Sequence, residues 1–342
     1  MRSIKRMSAL LLSLVLLVSG LPVDLTQRAA DRYGQEIVSD VAVVDAAAAK
    51  PTDLSISIKK KRSSKVTVTA KWSASADYYN VDLSYSTPTG ATGTVSGTVA
   101  ENSMTYDFKQ SEGINYTYTL KVAGVSYDGS QSATAQKTKK YRLVGKATKK
   151  VKKIIKKNIK SSWSDYQKVK YVHDWMIKNI SYDQSETIPA KSFTFAGAIL
   201  KKKAVCKGYA ETFMVFMELL GIPVKYVPSV EQGNHAWNMV KVSGKWYHID
   251  VTWDDPLGMD SVTNSYPVYD YFLQSTNNFQ SKSAEKGNGY EHFYSTSKFP
   301  KCSSTTYDND GSKEGYWEAV PGDTSGSMYN DTFSVWKNGV AQ

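Results

Sequence analysis

The chain has 342 residues, and its 43 lysines and arginines outnumber 32 aspartates and glutamates, which gives a formal net charge of +11. This length is sufficient for two domains, each with a sizeable core. With two cysteines, the chain cannot be built on a disulfide framework. No nucleic-acid-binding motif accompanies the positive charge, so we expect no nucleic-acid partner.

The N-terminal segment has the pattern of a secretory signal. Basic residues (Arg2, Lys5 and Arg6) precede an apolar stretch from Ala9 to Val18. This stretch is too short to span a membrane, so we predict a signal peptide over residues 1–30. We therefore expect a secreted, extracellular protein, with association with the cell wall as a further option. An alanine-rich linker is predicted over residues 31–50.

Residues 51–142 have the pattern of a β-sandwich. Apolar residues alternate with polar ones in about seven short runs, as in Val66, Val68, Ala70 and Trp72. Glycine-containing turn signals at residues 89–90, 112–113 and 128–129 separate the runs. With Trp72 on an early strand, Tyr118 on a late one and the loop over residues 123–130, the segment resembles a fibronectin type III domain. The resemblance implies a spacer or adhesive module, and we assign it no chemistry.

A lysine-rich segment, Lys146–Lys160, follows the sandwich. Its apolar residues recur at helical spacing (Val151, Ile154, Ile155 and Ile159), which predicts a basic amphipathic helix. Such a helix can bind an anionic cell-wall polymer or a membrane surface. The alternative, which we favour for the apolar stripe, is a helix docked on the next domain with its lysines in solvent.

Two further helices are predicted before the first cysteine. Ser164 and Gln167 form a capping-box pattern that starts one helix. His173 lies on this helix, and we interpret it as a surface or supporting group. A second, shorter helix is expected from Ser192 to Leu200, and lysines 201–203 then form a turn.

Cys206 is predicted to lie in the first turn of a helix. Apolar residues recur at steps of three and four from Ala210 to Leu220, and Gly221 and Pro223 then signal the helix end. Backbone N–H groups of a first turn have no partner within the helix, and the helix dipole is positive there. That position favours a thiolate and could help to hold an oxyanion.

His235 and Asp250 are predicted to lie on one β-hairpin. Two runs rich in aromatic and β-branched residues, 235–242 and 245–253, are joined by the tight-turn signal Ser243-Gly244. If Val242 faces Lys245, then Trp237 faces Asp250 and His235 faces Thr252. His235 and Asp250 would be diagonal neighbours on one face, roughly 7–8 Å apart at Cα. His248 falls on the same face, further from His235.

Three separated motifs together resemble the transglutaminase-like core, which is similar to papain-like cysteine proteases. They are Ala204-Val205-Cys206-Lys207-Gly208-Tyr209-Ala210, Asn234-His235-Ala236-Trp237-Asn238 and His248-Ile249-Asp250-Val251-Thr252-Trp253-Asp254. The resemblance implies an α+β domain, which we place at residues 143–300. It implies that Cys206 is the nucleophile, His235 its base and Asp250 the orienting carboxylate, with Asp254 and Asp255 as local rivals of Asp250.

The predicted fold class is therefore a fibronectin type III-like sandwich followed by a transglutaminase-like α+β domain. The predicted function is that of an exported cysteine-dependent enzyme that acts on amide bonds of a protein or peptide through a thioacyl intermediate. The sequence leaves hydrolysis and acyl transfer open. One alternative is a non-catalytic cell-surface binding protein with a vestigial triad, and another is an amidase of peptidoglycan cross-links.

Some residues have weaker assignments. We place Trp237, Gly208 and Tyr209 in the wall of the substrate site, although ordinary packing explains Trp237 equally well. Cys302 is interpreted as an unreactive thiol, with a disulfide to Cys206 or an intermolecular link as alternatives. The histidines and cysteines show no metal-ligand spacing, so no metal and no cofactor are expected. His292, in an aromatic segment that closes the domain, receives no role, and residues 301–342 remain unassigned.

Overall fold

The structure is a computed structural model, and it describes residues 48–62, 64–230, 234–255, 269–285 and 292–308. The predicted signal peptide (1–30), most of the predicted linker and residues 309–342 lie outside the described residues. In the part of the chain that is described, no helix combines the length and the apolar character needed to cross a membrane.

The first domain is a sandwich of two antiparallel sheets. Its seven strands are β1 (Thr52–Arg62), β2 (Lys65–Ser73), β3 (Tyr78–Ser86), β4 (Thr92–Val99), β5 (Ser103–Lys109), β6 (Asn115–Val125) and β7 (Ala135–Arg142). One sheet has the order β1-β2-β5 and the other β4-β3-β6-β7. The glycines of the three turn signals all adopt a left-handed conformation, as the turns require. Trp72 and Tyr118 are buried core residues, as predicted.

In the described residues, the second domain has helices before and after a three-stranded sheet. The helices are α1 (Lys146–Asn158), α2 (Asp165–Asn179), α3 (Phe195–Lys201), α4 (Cys206–Leu220) and α5 (Thr276–Glu285). The sheet has the order β10 (Val224–Pro228), β11 (Ala236–Val242) and β12 (Lys245–Ile249), and α4 packs on β10 and β11. A two-stranded parallel pair, β8 (Ser181–Tyr182) and β9 (Lys203–Ala204), lies beside α4. The predicted sandwich and α+β classes are both confirmed.

Local signals account for the ends of these helices. Ser164 and Gln167 make both hydrogen bonds of the predicted capping box at the start of α2. Helix α4 ends at Leu220 because Gly221 adopts a left-handed conformation (φ 75°), which glycine reaches without steric cost. The predicted helix over Ser192–Leu200 is divided into a short 3-10 helix (Ala190–Phe193) and α3.

The two domains contact each other through the turn between β5 and β6. Glu112 accepts hydrogen bonds from the backbone N–H of Thr148 (2.8 Å) and from its hydroxyl (3.1 Å), which ties the turn to the first turn of α1. At Gly113 an added Cβ would lie 2.5 Å from the ring of Phe195, so this ring packs directly on the glycine backbone. Arg142 forms an ion pair with Glu218 of α4.

The second domain continues past residue 300, where the sequence prediction ended it. Cys302 is buried in an apolar cluster with Trp237 and Phe279. The carboxylate of Asp308 accepts hydrogen bonds from the backbone N–H and the hydroxyl of Ser275, both at 2.6 Å. Residues 301–308 are therefore part of this domain.

Candidate active site

Cys206 is the first residue of α4, as predicted. The preceding residue, Val205, donates its N–H to the carbonyl of Ser192 (3.0 Å), which fixes the chain entering the helix. No side chain of the described residues caps this helix start. The N–H groups of the first turn, in which Cys206 lies, are therefore without partners in the helix. Backbone donors in this position can stabilise an oxyanion.

Gly208 allows the 3-10 helix to approach α4 closely. An added Cβ would lie 2.5 Å from the carbonyl oxygen of Ser192 and 2.8 Å from the Cβ of Ala204. The structure thus gives Gly208 a packing role that holds the chain around Cys206 in place. Contact of Gly208 with a substrate stays a prediction.

Tyr209 points into the domain rather than along its surface. Its hydroxyl lies 3.0 Å from the carbonyl of Ile180 and 2.5 Å from the carboxylate of Asp255, and 1% of the residue is exposed. Burial is the main cause that raises the pKa of the Tyr209 hydroxyl, so this group stays protonated and donates to Asp255. Tyr209 therefore supports the site from the interior of the domain. This position differs from the prediction that Tyr209 lies in the wall of the substrate site.

The hairpin that carries His235 and Asp250 has the predicted register at its turn. Val242 pairs with Lys245 and Asn238 with Ile249, and Ser243-Gly244 forms the two-residue turn with positive φ at both positions. The predicted second strand was too long, since β12 ends at Ile249. The Asp250 Oδ1 accepts the N–H of Thr252 (2.9 Å), and this local turn replaces the predicted pairing of Thr252 with His235.

His235 and Asp250 are in direct contact. The distance from His235 Nε2 to Asp250 Oδ2 is 2.5 Å, and both residues are buried. Because Nε2 faces Asp250, Nδ1 is the ring nitrogen left to serve Cys206. The Cys206 thiol interacts with the His235 ring, and its sulfur lies 3.6 Å from the carbonyl of Asn234. The structure thus brings Cys206, His235 and Asp250 together in the order that proton transfer requires.

The charges of this group favour an ionised pair. Burial opposes a charged His235 ring, but the Asp250 carboxylate more than offsets it, and with the Cys206 thiol it raises the pKa of His235 to about 10. Burial likewise opposes the Asp250 carboxylate, and His235 and then His292 outweigh that effect and lower its pKa. Both pKa shifts favour an imidazolium at His235 and a carboxylate at Asp250 at neutral pH.

His292 is the main residue of the site that the sequence prediction missed. Its Nε2 lies 3.0 Å from Asp250 Oδ2, the same oxygen that His235 contacts, and its Nδ1 lies 2.5 Å from the hydroxyl of Ser283. Because an ionised carboxylate can only accept, the Nε2 atom of His292 must carry a proton. The only signal available beforehand was the position of this histidine in the aromatic segment that closes the domain.

Aromatic rings surround the histidine pair. Trp237 stacks on His235 with a centroid distance of 6.0 Å, and Trp253 lies 5.7 Å from His235 and 4.5 Å from His292. Trp237 is 1% exposed and donates its indole N–H to His248 Nδ1 (3.1 Å). Burial lowers the pKa of His248 to about 3, so this ring is neutral and acts as an acceptor for Trp237. Trp237 thus packs on the His235 ring from the buried side of the site.

The two rival carboxylates have other partners. Asp254 Oδ2 lies 3.1 Å from His173 Nε2, and Asp255 contacts Tyr209. Burial raises the pKa of Asp254 to about 6 and that of Asp255 to about 7. Of the three aspartates, only Asp250 is hydrogen-bonded to His235.

His173 belongs to a buried network beneath the Asp250 turn, so a surface position is ruled out. Its Nδ1 lies 2.9 Å from Asp174, whose carboxylate also binds Lys170 (2.7 Å). Burial opposes a charged His173 ring, but the two flanking carboxylates outweigh it and raise its pKa. Asp254 connects this network to the site, because its backbone N–H donates to the carbonyl of Asp250 (3.2 Å).

Cys302 lies apart from this chemistry. Both cysteines are free, so the disulfide alternative is not what the structure shows. Burial raises the pKa of the Cys302 thiol to about 12, which agrees with its interpretation as an unreactive thiol.

The side chains of His235, Asp250 and His292 also lie close enough together to hold a metal ion. Their nearest nitrogen and oxygen atoms lie within 4.8 Å of one another, a grouping that chain spacing did not indicate. Two hydrogen bonds, which Asp250 Oδ2 accepts from His235 Nε2 and His292 Nε2, account for this proximity. We assign no metal to the site.

A cysteine at a helix start, next to a histidine and an aspartate that flank strands of the adjacent sheet, is the arrangement of Cys-His-Asp sites in α+β domains. Residues 152–251 match the model of the Transglutaminase-like superfamily, so the chain carries a transglutaminase-like domain. The matched range contains Cys206, His235 and Asp250, whereas His292 lies beyond it.

Two curated relatives share this region. The kyphoscoliosis peptidases of Homo sapiens and Mus musculus are each 26% identical over an alignment of 133 residues, and the match covers 34% of this chain. The match spans 20% of the length of either relative.

Solved structures resemble parts of the chain at low TM-scores. One, described as the crystal structure of a TGase, has a TM-score of 0.27 and 20% identity, and covers 35% of this chain and 35% of its own. The fn3 domain of human collagen alpha-1(XX) has a TM-score of 0.22 and 17% identity, and covers 30% of this chain and 90% of its own.

Proposed function

We propose that this protein is a cysteine-dependent enzyme that acts on amide bonds of proteins or peptides through a thioacyl intermediate. The observation that carries the proposal is the placement of His235 between the Cys206 thiol and the Asp250 carboxylate, with 2.5 Å separating His235 Nε2 from Asp250 Oδ2. The two curated relatives are named as peptidases, and the activity in that name is compatible with this chemistry. The name describes those proteins.

In the first half of the reaction, the Cys206 thiolate attacks the amide carbonyl carbon. The resulting oxyanion lies near the N–H groups at the start of α4. The His235 imidazolium donates its Nδ1 proton to the leaving nitrogen, the C–N bond breaks, and a thioester to Cys206 remains. Asp250 holds the ring in this orientation and stabilises its charge.

In the second half, a nucleophile attacks the thioester carbon and His235 takes its proton. Water as the nucleophile gives a carboxylic acid, and the protein is then a protease or amidase. A primary amine gives a new amide, and the protein is then an acyltransferase. In both cases the Cys206 thiolate is the leaving group, and the site returns to its starting state.

The proposal includes export of the chain, which the basic and apolar pattern of residues 1–20 predicts. The N-terminal sequence of the protein recovered outside the producing cells tests this part. A start near residue 20 or 30 agrees with export, and recovery of all the protein inside cells contradicts it.

The reaction is tested with glutamine-containing peptides, alone and together with a fluorescent primary amine. Mass spectrometry detects cleaved peptide bonds and amine adducts, and an ammonia assay detects side-chain deamidation. We expect one of these products with the wild type and with Cys302→Ser, and loss of it in Cys206→Ala and His235→Ala. Equal product formation by the wild type and Cys206→Ala would overturn the proposal, as would no product together with an unreactive Cys206.

A further inference from the structure

A concave, lysine-lined groove lies between three helices of the second domain. It has a volume of about 370 Å³ and is bounded by α1, the end of α2 and the end of α3. Lys150, Lys153 and Lys157 of α1 line it together with Lys202, and Trp175 of α2 contributes an aromatic surface. Cys206, His235 and Asp250 are not among its lining residues.

The groove carries a surplus of positive charge. None of the residues that line it is acidic. The carboxyl ends of three helices meet here, and each contributes a partial charge of about −0.5, or about −1.5 together. Four lysines outweigh this and leave about +2.5. One of them, Lys150, already donates to the carbonyl of Ile199 at the end of α3 (2.9 Å), so the other three are the main groups available to a ligand.

The shape and spacing of the groove favour a linear polyanion over a membrane. Val151 of α1 is buried in the domain core, and Ile154, Ile155 and the following Ile159 are partly buried against it, so the domain itself covers the apolar stripe that a lipid layer would need. Along the helix axis, Lys150, Lys153 and Lys157 are separated by about 4.5 Å and 6 Å. These steps suit a polymer that presents one anion in each short repeat.

The charged groups of the lining act as point charges. The groove offers lysine ammonium groups, which bind phosphate in this way, and none of its lining residues is an arginine that would form a bidentate pair with a carboxylate or a phosphate. Trp175, whose ring packs on Phe216 at 5.4 Å, provides an apolar surface against which a polyol or sugar unit can lie.

We propose that this groove binds a linear phosphodiester polymer with polyol or sugar repeats and holds the protein on that polymer. The binding is electrostatic, and it weakens as salt is raised. The groove works independently of the chemistry proposed for Cys206, so either proposal can fail without the other.

The test measures binding of the full chain to fluorescently labelled poly(glycerol phosphate) of defined length by anisotropy, at low and at physiological salt. The groove variant is Lys153→Glu with Lys157→Glu. The matched control is Lys152→Glu with Lys156→Glu, which makes the same charge change at exposed lysines of the same helix outside the groove lining. We expect the groove variant to weaken binding by at least ~30-fold and the control by less than ~5-fold.

Three outcomes would overturn the proposal. Equal weakening by both double variants would show attraction to general surface charge. Equally tight binding of poly-glutamate of matched length and charge would remove the preference for phosphodiesters. Tighter binding to vesicles that contain phosphatidylglycerol than to the polymer would show that a membrane is the partner. Thermal unfolding of both variants shows whether each remains folded.

Discussion

Replacement of Asp250 with asparagine tests the central contact of the candidate site. Burial penalises the charged His235 ring, and the Asp250 carboxylate is the largest contribution that raises its pKa, from 6.5 to about 10. A rise of this size corresponds to roughly 5 kcal/mol in favour of the imidazolium, at about 1.4 kcal/mol per pKa unit. Asparagine keeps the shape but not the charge, so we expect the His235 ring of Asp250→Asn to be neutral at pH 7.

The assay is the rate at which iodoacetamide alkylates Cys206 as a function of pH, in a Cys302→Ser background. An ordinary thiol is on the order of 0.3% ionised at pH 6. Next to the His235 imidazolium, Cys206 should be alkylated on the order of 100-fold faster than an ordinary thiol at that pH, and Asp250→Asn should lose most of this advantage.

The matched control for this experiment is Asp255→Asn. It alters a neighbouring buried carboxylate that contacts Tyr209 and not His235, so it should keep the wild-type profile. A folded Asp250→Asn protein that is alkylated at the wild-type rate at pH 6 would refute the role given to this carboxylate. His235→Ala serves as the reference for complete loss of activation.

Three further predictions follow from the contacts of the site. His292→Phe removes one of the two imidazoles on Asp250 Oδ2, so kcat/KM should fall by about 10-fold, a loss typical of one hydrogen bond to a charged group, and no change in kcat/KM would contradict it. His173→Leu leaves two buried carboxylates without their shared partner, and urea unfolding should show a loss of about 3–5 kcal/mol. Because the pKa of His173 is raised in the fold, its contribution to stability is complete below about pH 6.5 and is lost as pH rises through the folded-state value, so wild type and variant should converge at high pH. Gly208→Ala should destabilise the protein by about 1–3 kcal/mol by thermal unfolding, because its Cβ would lie 2.5 Å from the Ser192 carbonyl, whereas the same change in an open helix stabilises by about 1 kcal/mol.

The sequence predicted those parts of the site whose structure depends on residues that are close together in the chain. The periodicity of α4 placed Cys206 at a helix start, and Ser243-Gly244 fixed the register of the hairpin. The error in the second strand arose at Asp250, whose side chain accepts a backbone N–H of its own loop. Aspartate is able to end a strand in this way, but an alternating apolar pattern does not show it.

The parts that the sequence did not predict depend on distant residues. His292 reaches Asp250 across 42 positions and His173 reaches Asp254 across 81. Lys170, His173 and Asp174 lie at helical spacing on the buried side of α2, so the sequence did contain three ionisable groups on one face. Their burial follows only once Asp254 and Tyr269 are known to meet them.

The two histidines on Asp250 suggest why the carboxylate stays ionised in so apolar a place. Asp250 is 1% exposed, and the two imidazoles that contact it pack against Trp253. A lone carboxylate buried to this extent would take up a proton. His235 is the partner that must give up its proton during the proposed reaction, and at that moment it no longer neutralises Asp250. In the proposed reaction His292 transfers no proton, and it keeps its hydrogen bond to the same oxygen throughout. We therefore expect His292→Phe to lower kcat more than it raises KM, since the missing contact matters most when His235 is neutral. A variant with unchanged kcat and a raised KM would instead place His292 on the side of substrate binding.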